Sequence, residues 1–166
     1  MPYGYNGKIL RVDLDTESIH VEEAHEILYC RYLGGGTLAL HYLLSELKSN
    51  SNPLRPENIL VFAGSVISGT PAAGLSRFSV AAKSPLTGAF GESEAGGWWI
   101  PELKSAGYDA IVIKGKAHKP VYLWIHDGEA EIRDACHLWG KFAKETQDEI
   151  RKGLGDDRIR VALIGP

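Results

Sequence analysis

From Lys8 to Leu14 the side chains alternate, with Leu10, Val12 and Leu14 on one face and Ile9, Arg11 and Asp13 on the other, which predicts a half-buried strand. Asp15 to Ser18 reads as a turn, and Ile19 and Val21 resume the period of two, completing a hairpin. A short helix is predicted around Glu26 to Leu33, ending at the break Gly34-Gly35-Gly36. Leu40, Leu43, Leu44 and Leu47 then fall at i, i+3, i+4 and i+7, one apolar stripe of an amphipathic helix. A loop rich in Ser, Asn and Pro (49–58) leads into Ile59 to Ala63, a continuous apolar run of the kind found in strands buried on both faces.

The second half repeats that order. Val121, Leu123 and Ile125 alternate with Tyr122, Trp124 and His126 up to Asp127-Gly128, a strong two-residue hairpin signal, and Ala130 and Ile132 mark the return strand. Phe142, Thr146, Ile150 and Leu154 lie along one helix face that stops near Gly155, and Ile159 to Ile164 is predicted as a last apolar strand. Hairpin, helix and buried strand thus occur twice, which predicts an α+β fold: a duplicated unit of antiparallel β-sheets with helices, the two sheets sharing a core in a pseudo-twofold sandwich. The second copy stops at Gly165-Pro166, just after its strand, so the chain is expected to be truncated relative to a longer polypeptide.

Between the copies lies Gly64 to Asp109, rich in glycine and yet carrying Phe78, Phe90, Trp98, Trp99 and Tyr108. A flexible linker has no use for buried aromatics, whereas glycines let a backbone approach a ligand closely and supply positive φ in tight turns. Arg77, Ser79 and Ala81 alternate with Phe78, Val80 and Ala82, so a strand is expected to bury Phe78 and present Arg77 on its other face. A helical turn is predicted over Pro101 to Lys104 and a short buried strand over Ala110 to Ile113. Among the aromatics and glycines stand a few polar groups, Arg77, Lys83, Glu92, Glu94, Glu102 and Lys104. Two readings stay open: an ordered surface for a large flat or phosphorylated ligand, or a set of packed hairpin turns.

Composition narrows the function classes. With 166 residues the chain has the length of one domain, and its formal charge of −3 with no basic stripe argues against nucleic acid as the main partner. The N-terminus lacks the layout of a secretory signal and no apolar run has the length of a membrane span, so a cytoplasmic protein is expected. Cys30 and Cys136 have no C-x-x-C spacing, cannot supply a four-cysteine cluster, and are expected to be buried thiols. The six histidines show no ligand spacing, and no hydrolase, Walker or dinucleotide motif is present.

The wording of several segments is more specific than their composition. SGTPAAGLSRFSVAAKSPLTG and GESEAGGWWIPELKSAGYDAIVIKGKAHKPVYLWI, together with YGYNGKILRVDL, LGGGTLALHYLLSEL, PLRPENILVFAG, EIRDACHLWG and RVALIGP, span nearly the whole chain. In this order they resemble the N-terminal domain of the tungsten-dependent aldehyde ferredoxin oxidoreductase family. The resemblance implies one domain over 1–166, a base of two sheets under a tungsten bis-pyranopterin (tungstopterin) cofactor whose phosphates share magnesium. A [4Fe-4S] cluster would be bound by C-terminal iron-sulfur domains not present in these 166 residues. It further implies oxidation of an aldehyde to a carboxylate with ferredoxin as electron acceptor, although some relatives act on aromatic thioesters. The cofactor-binding residues it implies are Arg77, as a guanidinium fork toward the pterin, and Glu94, Ala95, Gly96 and Gly97, as the segment meeting the phosphates and magnesium. Familiar members carry Asn where this chain has Glu94, so only a backbone contact there carries over unchanged. No catalytic residue and no metal ligand is assigned, and Trp98 and Trp99 are expected mainly to fill core or domain interfaces. Alone, the chain is expected to be inactive and to seek its remaining domains, a partner subunit or a second copy. The alternative is a non-enzymatic scaffold that binds a pterin or another anion and pairs with a separately encoded catalytic partner.

Overall fold

The computed structural model describes residues 4–165. Its centre is a six-stranded sheet made of β1 (Lys8–Asp13), β2 (Ser18–Glu23), β3 (Ile59–Gly64), β4 (Phe78–Lys83), β5 (Phe90–Ala95) and β6 (Ala110–Lys114), in the spatial order β2-β1-β6-β3-β4-β5. Neighbours run antiparallel except β1 and β6, which are parallel. The β1–β2 hairpin forms in the register the alternation predicts, with Leu10 opposite Val21 and Val12 opposite Ile19.

Both faces of the sheet are covered. On one, α1 (Glu26–Tyr32) and α2 (Gly35–Glu46) bury Ile9, Val61, Ala63, Ala81 and Val112 against Leu38, Ala39, Tyr42 and Leu43. On the other, α3 (Trp99–Ser105) and a second sheet, the hairpin β7 (Val121–His126)–β8 (Glu129–Asp134), enclose Leu10, Val12, Phe78, Tyr108 and Ile111 with Ile100 and Leu103. The α+β class and the two sheets sharing a core are therefore what the molecule builds. Burying these side chains fully is worth about 1.5–3 kcal/mol each for the larger aliphatics.

Several elements differ from the sequence expectation. β1 is buried on both faces, because it lies inside the sheet and its Ile9 is covered by the helices. The buried face of α2 runs through Leu38, Ala39, Tyr42 and Leu43, while Leu44 is 75% exposed. The helix starts inside the triglycine at Gly35, and its rotation is set by Tyr42, whose hydroxyl donates to Glu22 Oε1 on β2 (2.8 Å). β5 carries no apolar alternation and forms because its backbone pairs with β4 from Phe78–Ala95 to Lys83–Phe90.

In the second copy the hairpin and α4 (Ala143–Leu154) form, the latter closed by Gly155 at φ 73°. Residues 159–164 make no strand and join neither sheet among the described residues, and Ile164 is exposed. No residue of α4 is buried among the described residues, and Phe142 just before it is 69% exposed. The two copies thus contribute unequally: the first supplies β1, β2 and β3 to the six-stranded sheet, and the second only the separate hairpin β7–β8. Cys30 and Cys136 are both exposed, contrary to the buried pair expected: Cys30 sits on the outer side of α1, and Cys136 in a 3-10 turn at Cys136–Leu138. No helix among the described residues is long and apolar enough to cross a membrane.

Candidate functional site

Arg77 immediately precedes β4, and Glu94 and Ala95 end β5 beside it, with Phe78 opposite Ala95 and Ser79 opposite Glu94. Because the strands are adjacent and antiparallel, the start of one and the end of the other meet, which brings together residues 17 positions apart: Arg77 Nη1 lies 3.0 Å from Glu94 Oε2. Both side chains are largely exposed, at 71% and 53%. An exposed pair of this kind contributes about 0–1 kcal/mol, so a competing anion or cation can open it at little cost.

The chain leaves β5 through Gly96 and Gly97. The Gly97 N–H donates to Ser76 Oγ at 3.5 Å, which holds this loop against the residue preceding Arg77. Gly97 has φ +110°, a conformation that disfavours any side chain, and the space where a Cβ would stand is open for 4 Å. Beside Gly96, among the described residues, only Ser76 Oγ comes within that range, at 4.0 Å. The exposed guanidinium of Arg77 and the exposed backbone at Gly96 and Gly97 therefore lie at the same end of the β4–β5 pair.

The tryptophans divide their work. Trp99 packs between Phe78 (4.8 Å between ring centroids) and Phe62 (5.6 Å), filling the core. Trp98 is 67% exposed next to Gly97, and the Arg160 guanidinium lies over its ring at 5.9 Å. Arg160 is a residue the sequence reading missed at this surface, since it lay in a segment read as a strand.

Three of the remaining polar groups of the Gly-rich stretch, Lys83, Glu92 and Lys104, have structural employment. Lys83 Nζ donates to the carbonyls of Ser49 (2.9 Å) and Ser51 (2.8 Å). The Glu92 carboxylate occupies the place a Cβ on Gly36 would take, against the first turn of α2, where the helix dipole favours a negative charge. Lys104 is 2% exposed and donates to Gly4 O, Ser65 O (3.0 Å) and Val66 O (3.1 Å). Burial pushes its pKa below the ordinary lysine value, partly opposed by Asp109 at 3.9 Å. Asp109 in turn accepts from the N–H groups of Asn6 and Gly7 and from the Tyr29 hydroxyl (2.9 Å), and burial together with Asp109 raises the Tyr29 pKa. Nothing in the sequence pattern distinguished this buried network from a set of surface charges.

Two depressions in the surface lie elsewhere, about 190 Å³ beside Lys8, Glu23 and Tyr108 and about 370 Å³ beside Glu46, Lys48 and Glu57. Arg77, Glu94, Gly96 and Gly97 are all exposed to solvent. Away from them the β7–β8 turn brings His126, Glu129 and Glu131 within 4.8 Å of one another, a grouping that histidine spacing alone did not reveal. Glu131 is engaged by Arg133 Nε at 2.8 Å and both glutamates are exposed, so the group reads as a surface ion-pair set.

Comparison with known proteins agrees with the motifs. The model of the aldehyde ferredoxin oxidoreductase N-terminal domain matches residues 9–166. The tungsten-containing aldehyde ferredoxin oxidoreductase of Pyrococcus furiosus is 48% identical over 164 residues, 99% of this chain and 27% of the relative. The enzyme of the same name from Thermococcus kodakarensis is 44% identical over the same shares. The WOR-like subunit of an aliphatic sulfonate oxidoreductase from Pyrococcus furiosus is 39% identical over 90% of this chain and 26% of the relative. Among solved structures, the active-site complex BamBC of benzoyl coenzyme A reductase, bound to 1,5-dienoyl-CoA, superposes with a TM-score of 0.95 at 42% identity, over 98% of this chain and 25% of that one. The chain spans about a quarter of the length of the relatives it matches. By the domain match over 9–166 and the identity along nearly its whole length, this chain belongs to the aldehyde ferredoxin oxidoreductase family and corresponds to the family's N-terminal domain.

Proposed function

We propose that the chain is the cofactor platform of a larger tungsten-dependent oxidoreductase, with Arg77, Glu94, Ala95, Gly96 and Gly97 as the surface on which a tungsten bis-pyranopterin rests. The observation that carries this is the juxtaposition of an exposed guanidinium with open backbone at Gly96 and Gly97 on one end of β4 and β5. A large, flat, anionic group fits there: it needs a cation, hydrogen-bond donors and no side chains in its way, and the loop supplies all three. When bound, the tungstopterin supplies the two-electron redox centre. The chain's own part is to bind and orient. Arg77 neutralises and hydrogen-bonds the anionic ligand, and Gly97 lets it approach the main chain. The Glu94 carboxylate either turns away from the phosphates or shares a divalent cation such as magnesium with them.

On this reading the whole protein would oxidise an aldehyde to a carboxylate with ferredoxin as electron acceptor, and a [4Fe-4S] cluster held by residues beyond these 166 would supply the electron exit. This chain's only two cysteines are Cys30, on α1, and Cys136, in the 3-10 turn after β8, against the roughly four thiolates a cluster needs. The remaining domains, or a partner subunit, would complete the enzyme, and the chain alone would be inactive. A second reading places an aromatic thioester in the substrate's position, favoured by the close superposition on the benzoyl coenzyme A reductase complex.

The test is to express the full-length protein in tungstate-fed cells, purify it without oxygen, and measure tungsten and pterin per chain beside an Arg77→Ala variant. Stoichiometric tungsten in the parent and its loss in the variant support the platform; full tungsten in both refutes the role of Arg77. Turnover of aldehydes against that of aromatic thioesters separates the two substrate readings.

A further inference from the structure

Arg77 sits on an exposed loop, yet its main chain is anchored from inside the molecule. Ser68 is 2% exposed, and its hydroxyl accepts from the Ser65 N–H (3.1 Å) while donating to the Arg77 carbonyl (3.0 Å). The Ser68 N–H donates to Ser65 O (3.0 Å) and the Gly69 N–H to Leu75 O (3.2 Å), so residues 65–77 close on themselves around that one hydroxyl. The origin of the loop is fixed in turn by Lys104, whose ammonium holds Ser65 O and Val66 O, and by the Val66 N–H on Leu33 O (3.0 Å). A continuous chain of hydrogen bonds therefore runs from a buried cation on α3 to the backbone of an exposed arginine.

We propose that Ser68, backed by Lys104, is a positioning residue that fixes the main chain of Arg77 and thereby aims its guanidinium at the bound anion. The inference rests on the reading of Arg77 as a cofactor contact and adds to it a residue that touches no ligand. The physical reason is entropic. A long side chain on a mobile loop must be ordered when the ligand arrives, at about 0.5–1.5 kcal/mol per side chain plus the loop itself, whereas a loop ordered in advance has already met that cost. Serine suits the position because one small hydroxyl both accepts and donates; alanine leaves the part-buried Ser65 N–H and Arg77 carbonyl without that partner.

The experiment uses the full-length protein with Ser68→Ala, Arg77→Ala and the double variant, comparing backbone amide exchange over residues 65–79, pterin retained after dialysis, and far-ultraviolet circular dichroism. Expected for Ser68→Ala are unchanged secondary structure, exchange at least about tenfold faster confined to 65–79, and a several-fold loss of pterin. The double variant is expected to lose no more pterin than Arg77→Ala alone, because Ser68 acts through Arg77. Unchanged exchange, or losses that add in the double variant, overturns the proposal. If Arg77→Ala retains pterin as the parent does, the cofactor reading fails by itself and the exchange data still decide whether Ser68 fixes the loop. Should Ser68→Ala not fold, the nearly isosteric Ser68→Cys takes its place; failure of both makes Ser68 a general folding residue and overturns the proposal.

Discussion

Replacing Lys104 by methionine removes the ammonium at the centre of the buried network while keeping most of the side-chain volume. Three carbonyls, of Gly4, Ser65 and Val66, lose the ammonium as a donor, Ser65 O keeping the Ser68 N–H, and Asp109 loses a cation 3.9 Å away. Hydrogen bonds to a charged group contribute about 1.5–3 kcal/mol each, so the gross loss is at least about 4.5 kcal/mol. Against it stands the desolvation of the ammonium, several kcal/mol, which methionine does not incur. Asp109 also stays partly compensated by Asn6, Gly7 and Tyr29. The net expectation is a destabilisation of about 3 kcal/mol, a fall of roughly 6–12 °C in Tm for a chain of this length. Urea denaturation followed by tryptophan fluorescence measures it, since Trp99 is in the core. The pH dependence supplies a second arm. Burial lowers the folded pKa of Lys104 below its ordinary value of 10.5, so between the two values the unfolded chain holds the extra proton and stability rises with pH. The advantage of the parent over Lys104→Met should therefore widen as pH approaches 10. A cost under about 1 kcal/mol near neutral pH would refute the claim that the ammonium contributes net stability here, and a gap that narrows with rising pH would refute the lowered pKa.

Three further outcomes follow from the geometry. Gly34 has φ +92° and its missing Cβ would strike the Gly64 carbonyl and lie 2.7 Å from Ser65 Cα, so Gly34→Ala should cost at least about 2 kcal/mol. Gly36→Ala meets only the movable end of Glu92 and should be neutral or stabilising by up to about 1 kcal/mol; equal costs in the two variants would contradict this contrast. The Asp134 pKa is held at about 2 by Lys119 and the Cys136 N–H, so its contribution is present above the usual carboxylate range and is lost as pH falls toward 2. Melting curves from pH 5 to pH 2 should show the parent converging on Asp134→Asn, and parallel curves would exclude this pair as an acid-sensitive contact. Glu94→Ala should change stability by less than about 1 kcal/mol because its partner pair is exposed; a larger loss in a urea titration would mean the Arg77 contact is structural.

Local signals in the sequence sufficed for the elements whose own residues carry the pattern. The alternation around Leu10 and Val21 and the Asp127-Gly128 turn each specify a hairpin from neighbours in sequence, and both form in the register implied. The apolar run at Ile59 to Ala63 likewise became β3, and the ordered motifs were enough to name the family. Arg77, Glu94 and the Gly96-Gly97 loop could be nominated from those motifs, but their meeting could not, because it depends on β4 pairing with β5, whose sequence has no strand period.

Tertiary structure alone decided which faces are covered and what each charge does. Ile9 is buried because β1 lies inside the sheet, and Leu44 is exposed because Tyr42 sets the rotation of α2; neither neighbour is visible along the chain. Lys104 and Arg77 look alike in sequence, two cations among glycines, yet one is sealed under three carbonyls and the other faces solvent. Residues 159–164 have the composition of a strand but pair with no other strand among the described residues, and a strand exists only where another backbone accepts its hydrogen bonds. Periodicity is a property of one segment and can be read from it; burial and pairing belong to two segments at once and appear only when both are in place.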